Sequence, residues 1–71
     1  MKVCIKWVNK ISKECGYVSK VCKKAGHFIN ADGDNKPMVY PNEGLASAAI
    51  KTLEEIGEAR NNCFIIVDAP K

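Results

Sequence analysis

One stretch of this 71-residue chain repeats its apolar residues with the period of an α-helix. The apolar side chains recur at steps of three and four, which places them on one face of a helix. Asn42 is suited to cap the amino terminus of this helix, and Gly57 or Asn61 to end it. The apolar positions are Leu45, Ala46, Ala49, Ile50, Leu53 and Ile56.

The other apolar segments have the length and residue types of β-strands. Residues 2–8 are rich in β-branched and aromatic residues and alternate in polarity, and residues 17–23 and 27–31 follow the same rule. Residues 63–67 are a continuous apolar run, typical of a buried strand. Residues 38–40 are predicted to be an extended segment or a minor edge strand.

The order β-β-β-α-β predicts an α+β fold, with an antiparallel sheet of three to four strands and one helix packed on one face. A chain of this size forms a single domain, residues 1–71, with a small core. The predicted core consists of Val3, Ile5, Trp7, Tyr17, Val21, Ile29, Leu45, Ala49, Ile50, Leu53, Ile56, Ile65 and Val67. The second sheet face would then carry Cys4, Val8, Val18, Phe64 and Ile66. Such an apolar face is typical of an interface, so we expect a homodimer or a docking face for another protein.

Charge is divided unevenly along the chain. Residues 1–24 contain seven lysines and one acid, whereas residues 25–71 contain seven acids and four cations. The two parts would attract different partners. The candidate binding patch combines six lysines of the first two strands and their connections with two aromatic residues: Lys6, Trp7, Lys10, Lys13, Tyr17, Lys20, Lys23 and Lys24.

Three interpretations of this basic patch remain open at the level of the sequence. The lysines can serve as a solvated guard against aggregation, as a docking surface for a protein, or as a nucleic-acid site. Lysines interleaved with aromatic rings are typical of surfaces that hold single strands. The patch lacks arginine, and the isoelectric point of about 8.7 is below that of strongly basic domains. A protein partner is therefore favoured over nucleic acid.

Four cysteines, Cys4, Cys15, Cys22 and Cys63, form no C-x-x-C pair. The sequence favours free thiols that behave as small buried hydrophobes. A disulfide between Cys4 and Cys22 is the alternative. Cys15 beside Lys13 also resembles an exposed loop thiol with a lowered pKa, which would suit a redox or nucleophilic role.

No catalytic, cofactor-binding or metal-binding residue is predicted. Asp32, Asp34 and Glu43 match three positions of a calcium loop, but Lys36 and Pro37 stand where a ligand and a glycine are needed. A solvated turn is the favoured interpretation. His27 has no partner at a suggestive spacing and is expected at the surface or at a sheet edge. We therefore expect a protein that is not an enzyme.

Residues near the amino terminus argue against a secretory signal, because Lys6 and Lys10 interrupt the apolar residues. No apolar run approaches the ~20 residues that span a bilayer. The sequence predicts a cytoplasmic protein without a membrane segment.

The lysine-rich hairpin with Gly16–Val18, Tyr40 before a helix containing Leu45–Ala46, and the closing strand together resemble small bacteriophage and mobile-element proteins. The resemblance is one of pattern and carries over no functional residue. It implies a small interaction module that binds and modulates a host protein, such as a defence complex. The alternative is a small nucleic-acid-binding protein that uses the lysine-rich hairpin.

Overall fold

The computed structural model describes residues 2–69. Four strands form one antiparallel sheet in the order β3-β2-β1-β4, and a single α-helix precedes the last strand. This confirms the predicted α+β class and the β-β-β-α-β order. The elements are β1 (Val3–Asn9), β2 (Cys15–Cys22), β3 (His27–Asn30), α1 (Glu43–Glu55), a 3-10 turn (Glu58–Arg60) and β4 (Asn62–Asp68).

The ends of α1 follow from local chemistry. The Leu45 amide donates to Asn42 Oδ1 over 3.0 Å, which satisfies one of the free donors of the first turn. Gly57 adopts the left-handed conformation (φ 83°) just after the helix, where a side chain would be strained. Of the two predicted ends, Gly57 is therefore confirmed, and Asn61 instead follows the 3-10 turn.

The core joins α1 to the sheet through a buried cluster. Its fully or almost fully buried members are Val3, Ile5, Val18, Ala46 and Leu53. Partly buried side chains surround them, including Trp7, Val21, Phe28, Phe64 and Ile66. We call the side of the sheet that carries these residues the core side.

Several core predictions were wrong because the alternation of β2 and β4 was misassigned. Ile5 pairs with Ile66 and Trp7 with Phe64, so the even-numbered residues of β4 lie on the core side. A continuous apolar run gives no indication of which residues face inward. Val18, Phe64 and Ile66 belong to the core cluster, whereas alternation places Tyr17, Ile29, Ile65 and Val67 on the opposite side.

Two further assignments need correction. Leu45 was predicted in the core, but half of it (50%) is exposed. Cys4 was predicted on the second face, which alternation supports, yet it is completely buried. The second face is thus covered from solvent at the end of the sheet that carries Cys4. It is exposed to solvent at the other end, at Cys15, Cys63 and Ile65.

The segment before the helix fills a gap between β1 and β2. Tyr40 forms two backbone hydrogen bonds with Val3, and the Met38 amide donates to the Val18 carbonyl oxygen over 3.0 Å. Only an isolated bridge at Tyr40 is formed, so the segment is extended but is not a full strand. No helix within residues 2–69 is long and apolar enough to cross a bilayer.

Candidate interaction surface

Trp7 does not lie with the other residues of the predicted basic patch, because it is on the core side of the sheet. Its indole N–H donates to Asn30 Oδ1 over 2.8 Å, and its ring centroid lies 6.2 Å from that of Phe28. The indole lies over Gly16, its cross-strand neighbour, where a Cβ would come within 2.8 Å of both Trp7 Nε1 and Asn30 Oδ1. The Trp7 indole therefore packs against other residues of the chain.

Lys6 and Tyr17 remain together. They are direct cross-strand partners on β1 and β2, and Lys6 faces Ile65 of β4 on its other flank. Val8, one step along the same side, lies between Cys15 and Cys63. We call this side of the sheet the outer side; its residues are Lys6, Val8, Cys15, Tyr17, Lys20, Cys63, Ile65 and Val67.

Lys10 and Lys13 lie in the turn between β1 and β2. The Lys10 ammonium donates to the Ala59 carbonyl oxygen over 3.0 Å, which ties this turn to the 3-10 turn before β4. Lys13 has a left-handed backbone (φ 66°), and Asn9 Oδ1 accepts hydrogen bonds from the amides of Ile11 and Ser12. These lysines therefore sit at one end of the sheet, beyond the Lys6–Tyr17 pair.

Lys20 lies in the second half of β2, and Lys23 and Lys24 lie in the turn between β2 and β3. The pairing of β2 with β3 shifts register between Val18 and Lys20, and a bulge of this kind bends a strand and increases its twist. On the core side, the rings of Phe28 from β3 and Phe64 from β4 lie 5.5 Å apart in an edge-on arrangement. Lys23 lies 3.8 Å from Glu55 at the end of α1, an exposed pair worth at most about 1 kcal/mol.

The predicted patch is thus divided into four groups, of which Trp7 on the core side is one. Lys6, Tyr17 and the exposed Lys20 lie away from the core, whereas the other lysines occupy the two turns. Within residues 2–69 the Lys23–Glu55 contact is the sole ion pair. The positive charge of Lys6 and Lys20 is therefore not neutralised by an acid of the described chain.

The thiols are all free, as favoured by the sequence, and Cys4 and Cys22 are not joined. Only Cys4 is buried; Cys15 and Cys63 are exposed, so their assignment as buried hydrophobes was wrong. The exposure of Cys15 agrees with the alternative interpretation, although Cys15 begins β2 and does not lie in the loop. Its Cα and that of Cys63 are separated by the whole width of β1, a spacing too long for a disulfide.

Other candidate chemistry lies apart from these thiols. His27 is exposed on the edge strand β3, as predicted. Asp32 and Asn35 are joined by a backbone hydrogen bond of 2.9 Å, so the stretch that resembles a calcium loop forms an exposed turn. The part of the chain from residue 2 to residue 69 brings together no group of three or more His, Cys, Asp or Glu side chains suited to a metal ion.

Folding raises the pKa of two weak acids, the buried Cys4 and the partly buried Tyr40, which gives the protein a defined alkaline response. Burial raises the pKa of the Cys4 thiol. Burial, and to a smaller extent the nearby Cys4, raises the pKa of the Tyr40 phenol. Because both folded-state pKa values are raised, the stabilising contribution is complete below the unfolded values and is lost as pH rises through the folded values. We expect the free energy of unfolding to fall from about pH 8.5 upward, with a further fall above about pH 10.

Urea titrations at a series of pH values measure this decline. Replacing the buried thiol in Cys4→Ala should flatten the lower part of the curve, whereas Cys15→Ala should leave its shape unchanged. A stability that is constant from pH 8 to pH 11 in the native protein would contradict the assignment of these two groups.

The outer side contains residues that the sequence did not single out as functional. Ile65 was assigned to the core, yet it is 46% exposed next to Lys6. Cys63 was also absent from the predicted patch, whereas Val8 was predicted on the second face, which was expected to form an interface. Only the register of the strands would have shown that these residues share one side of the sheet. A short apolar run does not define that register.

No protein-family model matches the chain, and no curated protein or solved structure is detectably similar to it. The comparisons therefore assign no family.

Proposed function

We propose that this protein is a small, non-enzymatic interaction module that binds another protein through its outer side. The observation that carries the proposal is the Lys6–Tyr17 cross-strand pair beside the exposed Ile65. Aromatic and aliphatic groups flanked by cations are suited to an interface with an apolar centre and a charged rim.

The charge of this surface favours an acidic partner. Lys6 and Lys20 have no acid of their own chain within ion-pairing distance in residues 2–69, so their charge is available to a second molecule. The acids of the chain are concentrated elsewhere, on α1 and in the loop before it. Complementary charge of this kind speeds association and selects partners more than it adds affinity.

A more specific proposal is that this protein belongs to a bacteriophage or mobile element and that its partner is a protein of the host, such as a defence complex. It is supported by the resemblance in pattern between this chain and small proteins of that kind. The protein would then act by occupying a surface of its target.

A matched pair of charge reversals tests the proposed surface. Lys6→Glu/Lys20→Glu changes the outer side, and Lys13→Glu/Lys24→Glu makes the same change of net charge in the two turns. Both variants replace exposed or half-exposed lysines and should fold. Isotope-labelled capture from a candidate host lysate should recover a specific protein with the native chain and the turn variant, and at least ~10-fold less with the outer-side variant.

Equal recovery by the two variants would contradict the proposed surface. So would a loss confined to the turn variant, because that result would place the contact at the ends of the sheet.

Nucleic acid is the second candidate, and the Lys6–Tyr17 pair is the observation in its favour, since bases stack on aromatic rings beside cations. The position of Trp7 weighs against it, because the indole is bonded to Asn30 and contacts Phe28. Fluorescence anisotropy with random-sequence RNA and DNA separates the two candidates. Binding that persists at physiological salt and is lost in Lys6→Glu/Lys20→Glu would establish the nucleic-acid function in place of the protein-binding one.

A further inference from the structure

The outer edge of β4 is a long, unpaired strand edge. β4 pairs with β1 over seven consecutive residues without any irregularity, and it is the last strand of the sheet. The Lys10 amide donates to the Asn61 carbonyl oxygen and the Ala69 amide to the Lys2 carbonyl oxygen. Antiparallel pairing alternates, so the odd-numbered residues of β4 bond to β1 and the even-numbered ones point outward.

The outward amides and carbonyls are those of Asn62, Phe64, Ile66 and Asp68. No turn, loop or cap hydrogen bond among residues 2–69 uses the backbone of these four residues. Four residues of strand therefore present both donors and acceptors to a further strand.

The two edges of the sheet are protected very differently. β3 has only four residues and pairs with β2 through a bulge, beside a turn that contains Lys23 and Lys24. β4 has seven residues, no lysine, no proline and no bulge, and its interior is the apolar run 63–67. Natural sheets usually blunt or cover an edge of this kind.

β4 is complementary to a second copy of itself. An antiparallel pair centred on Ile65 aligns all seven residues and sets Phe64 opposite Ile66 of the second copy, with their outward backbone groups facing each other. On the outer side, Ile65 meets Ile65 of the second copy and Cys63 meets Val67. At each end Asn62 faces Asp68 of the second copy.

The charges near the two ends of β4 favour this antiparallel pairing over a parallel one. Antiparallel pairing brings the anionic end at Asp68 beside the opposite end of the other β4, which begins two residues after Arg60. A parallel pair would instead align Asp68 with Asp68, and like charges directly opposite each other are destabilising.

We propose that two copies of this protein associate edge to edge through β4, which would join their sheets into one antiparallel sheet of eight strands. The Lys6–Tyr17 surfaces of the two copies would then lie on the same side of that sheet. The inference does not depend on the proposed function, since it uses the strand edge and not the outer-side lysines. An interface of one strand pair is small, so we expect dissociation in the micromolar range, about 1–100 µM.

Sedimentation equilibrium over a concentration series, with two matched isoleucine variants, tests the proposal. Ile65→Lys places two like charges at the two-fold axis, whereas Ile11→Lys changes an isoleucine that is 79% exposed in the β1–β2 turn. The native chain and Ile11→Lys should reach a dimer with the same dissociation constant, and Ile65→Lys should raise that constant at least about 30-fold. A native chain that stays monomeric at about 1 mM, or an Ile65→Lys variant that dimerises like the native chain, would overturn the proposal.

A cysteine variant tests the register and does not depend on the behaviour of Ile65→Lys. In a Cys15→Ser/Cys63→Ser background, Ile65→Cys places two thiols opposite each other across the two-fold axis, at a Cα separation that permits a disulfide. Mild oxidation should convert this variant to a covalent dimer much faster than the matched Ile11→Cys variant. Equal rates for the two variants would exclude pairing centred on Ile65.

Discussion

Leu53→Ala should lower the free energy of unfolding by about 2–5 kcal/mol, the usual cost of removing a fully buried leucine. Leu53 has no exposed surface and belongs to the cluster that joins α1 to β1 and β2. A domain of this length has a total stability of about 4–10 kcal/mol. The substitution should therefore remove a large fraction of the total stability and lower the urea midpoint of unfolding clearly.

Leu45→Ala is the matched control on the same helix. Half of Leu45 is exposed, and alanine is the better helix former, so the change in stability should stay within about 1 kcal/mol. Urea denaturation followed by circular dichroism measures both variants. Equal costs for the two leucines would show that the assigned face of α1 is wrong.

Gly16→Ala should cost about 1–3 kcal/mol, the usual range for adding a methyl group where there is no room for it. The new Cβ would lie 2.8 Å from both Trp7 Nε1 and Asn30 Oδ1, which are themselves joined by a hydrogen bond. Either that bond breaks or the two strands move apart. The neighbouring exposed residue provides the control, since Cys15→Ala should change stability by less than about 0.5 kcal/mol.

A double-mutant cycle identifies the cause of the Gly16→Ala effect. Asn30→Ala removes one of the two atoms that the new methyl group meets, so Gly16→Ala should cost less in that background than in the native chain. Additive costs would place the strain elsewhere. Thermal unfolding by circular dichroism is suitable, because the fluorescence of Trp7 is itself perturbed by both changes.

The sequence was sufficient for the elements that are determined locally. Asn42 and Gly57 fix the limits of α1 through a side-chain cap and a left-handed backbone, and both effects act within one turn of helix. The alternation of Val3, Ile5 and Trp7 likewise defined the core side of β1. The number and order of the strands followed from such local patterns.

The residues of β4 that face the core could not be predicted from the sequence. Residues 63–67 are apolar on both sides of the strand, and their register is set by pairing with β1. The same limit affected the binding patch. Trp7 and Tyr17 were grouped as aromatic neighbours of the lysines, yet Trp7 pairs with Gly16 and turns to the core side. The register shift after Val18 likewise depends on how β2 pairs with β3, which the sequence of β2 alone does not show.

These positions give the outer side its proposed role. Lys6, Tyr17 and Ile65 are brought together by the register of three strands and not by nearness in sequence. If β4 also pairs with a second copy, two such surfaces occur in one sheet, and a dimeric target would be bound at both sites. Two linked contacts of this kind can exceed the affinity of either alone.

Photo-cross-linking from position 17 tests the central claim most directly. A photoreactive phenylalanine derivative replaces Tyr17 on the outer side, and the same group at Ile11 in the β1–β2 turn is the control. We expect irradiation in a host extract to give a discrete adduct from position 17 that protease removes and nuclease does not, and no such adduct from position 11. An adduct that only nuclease removes, or the same pattern from both positions, would contradict the proposal that the outer side binds a protein.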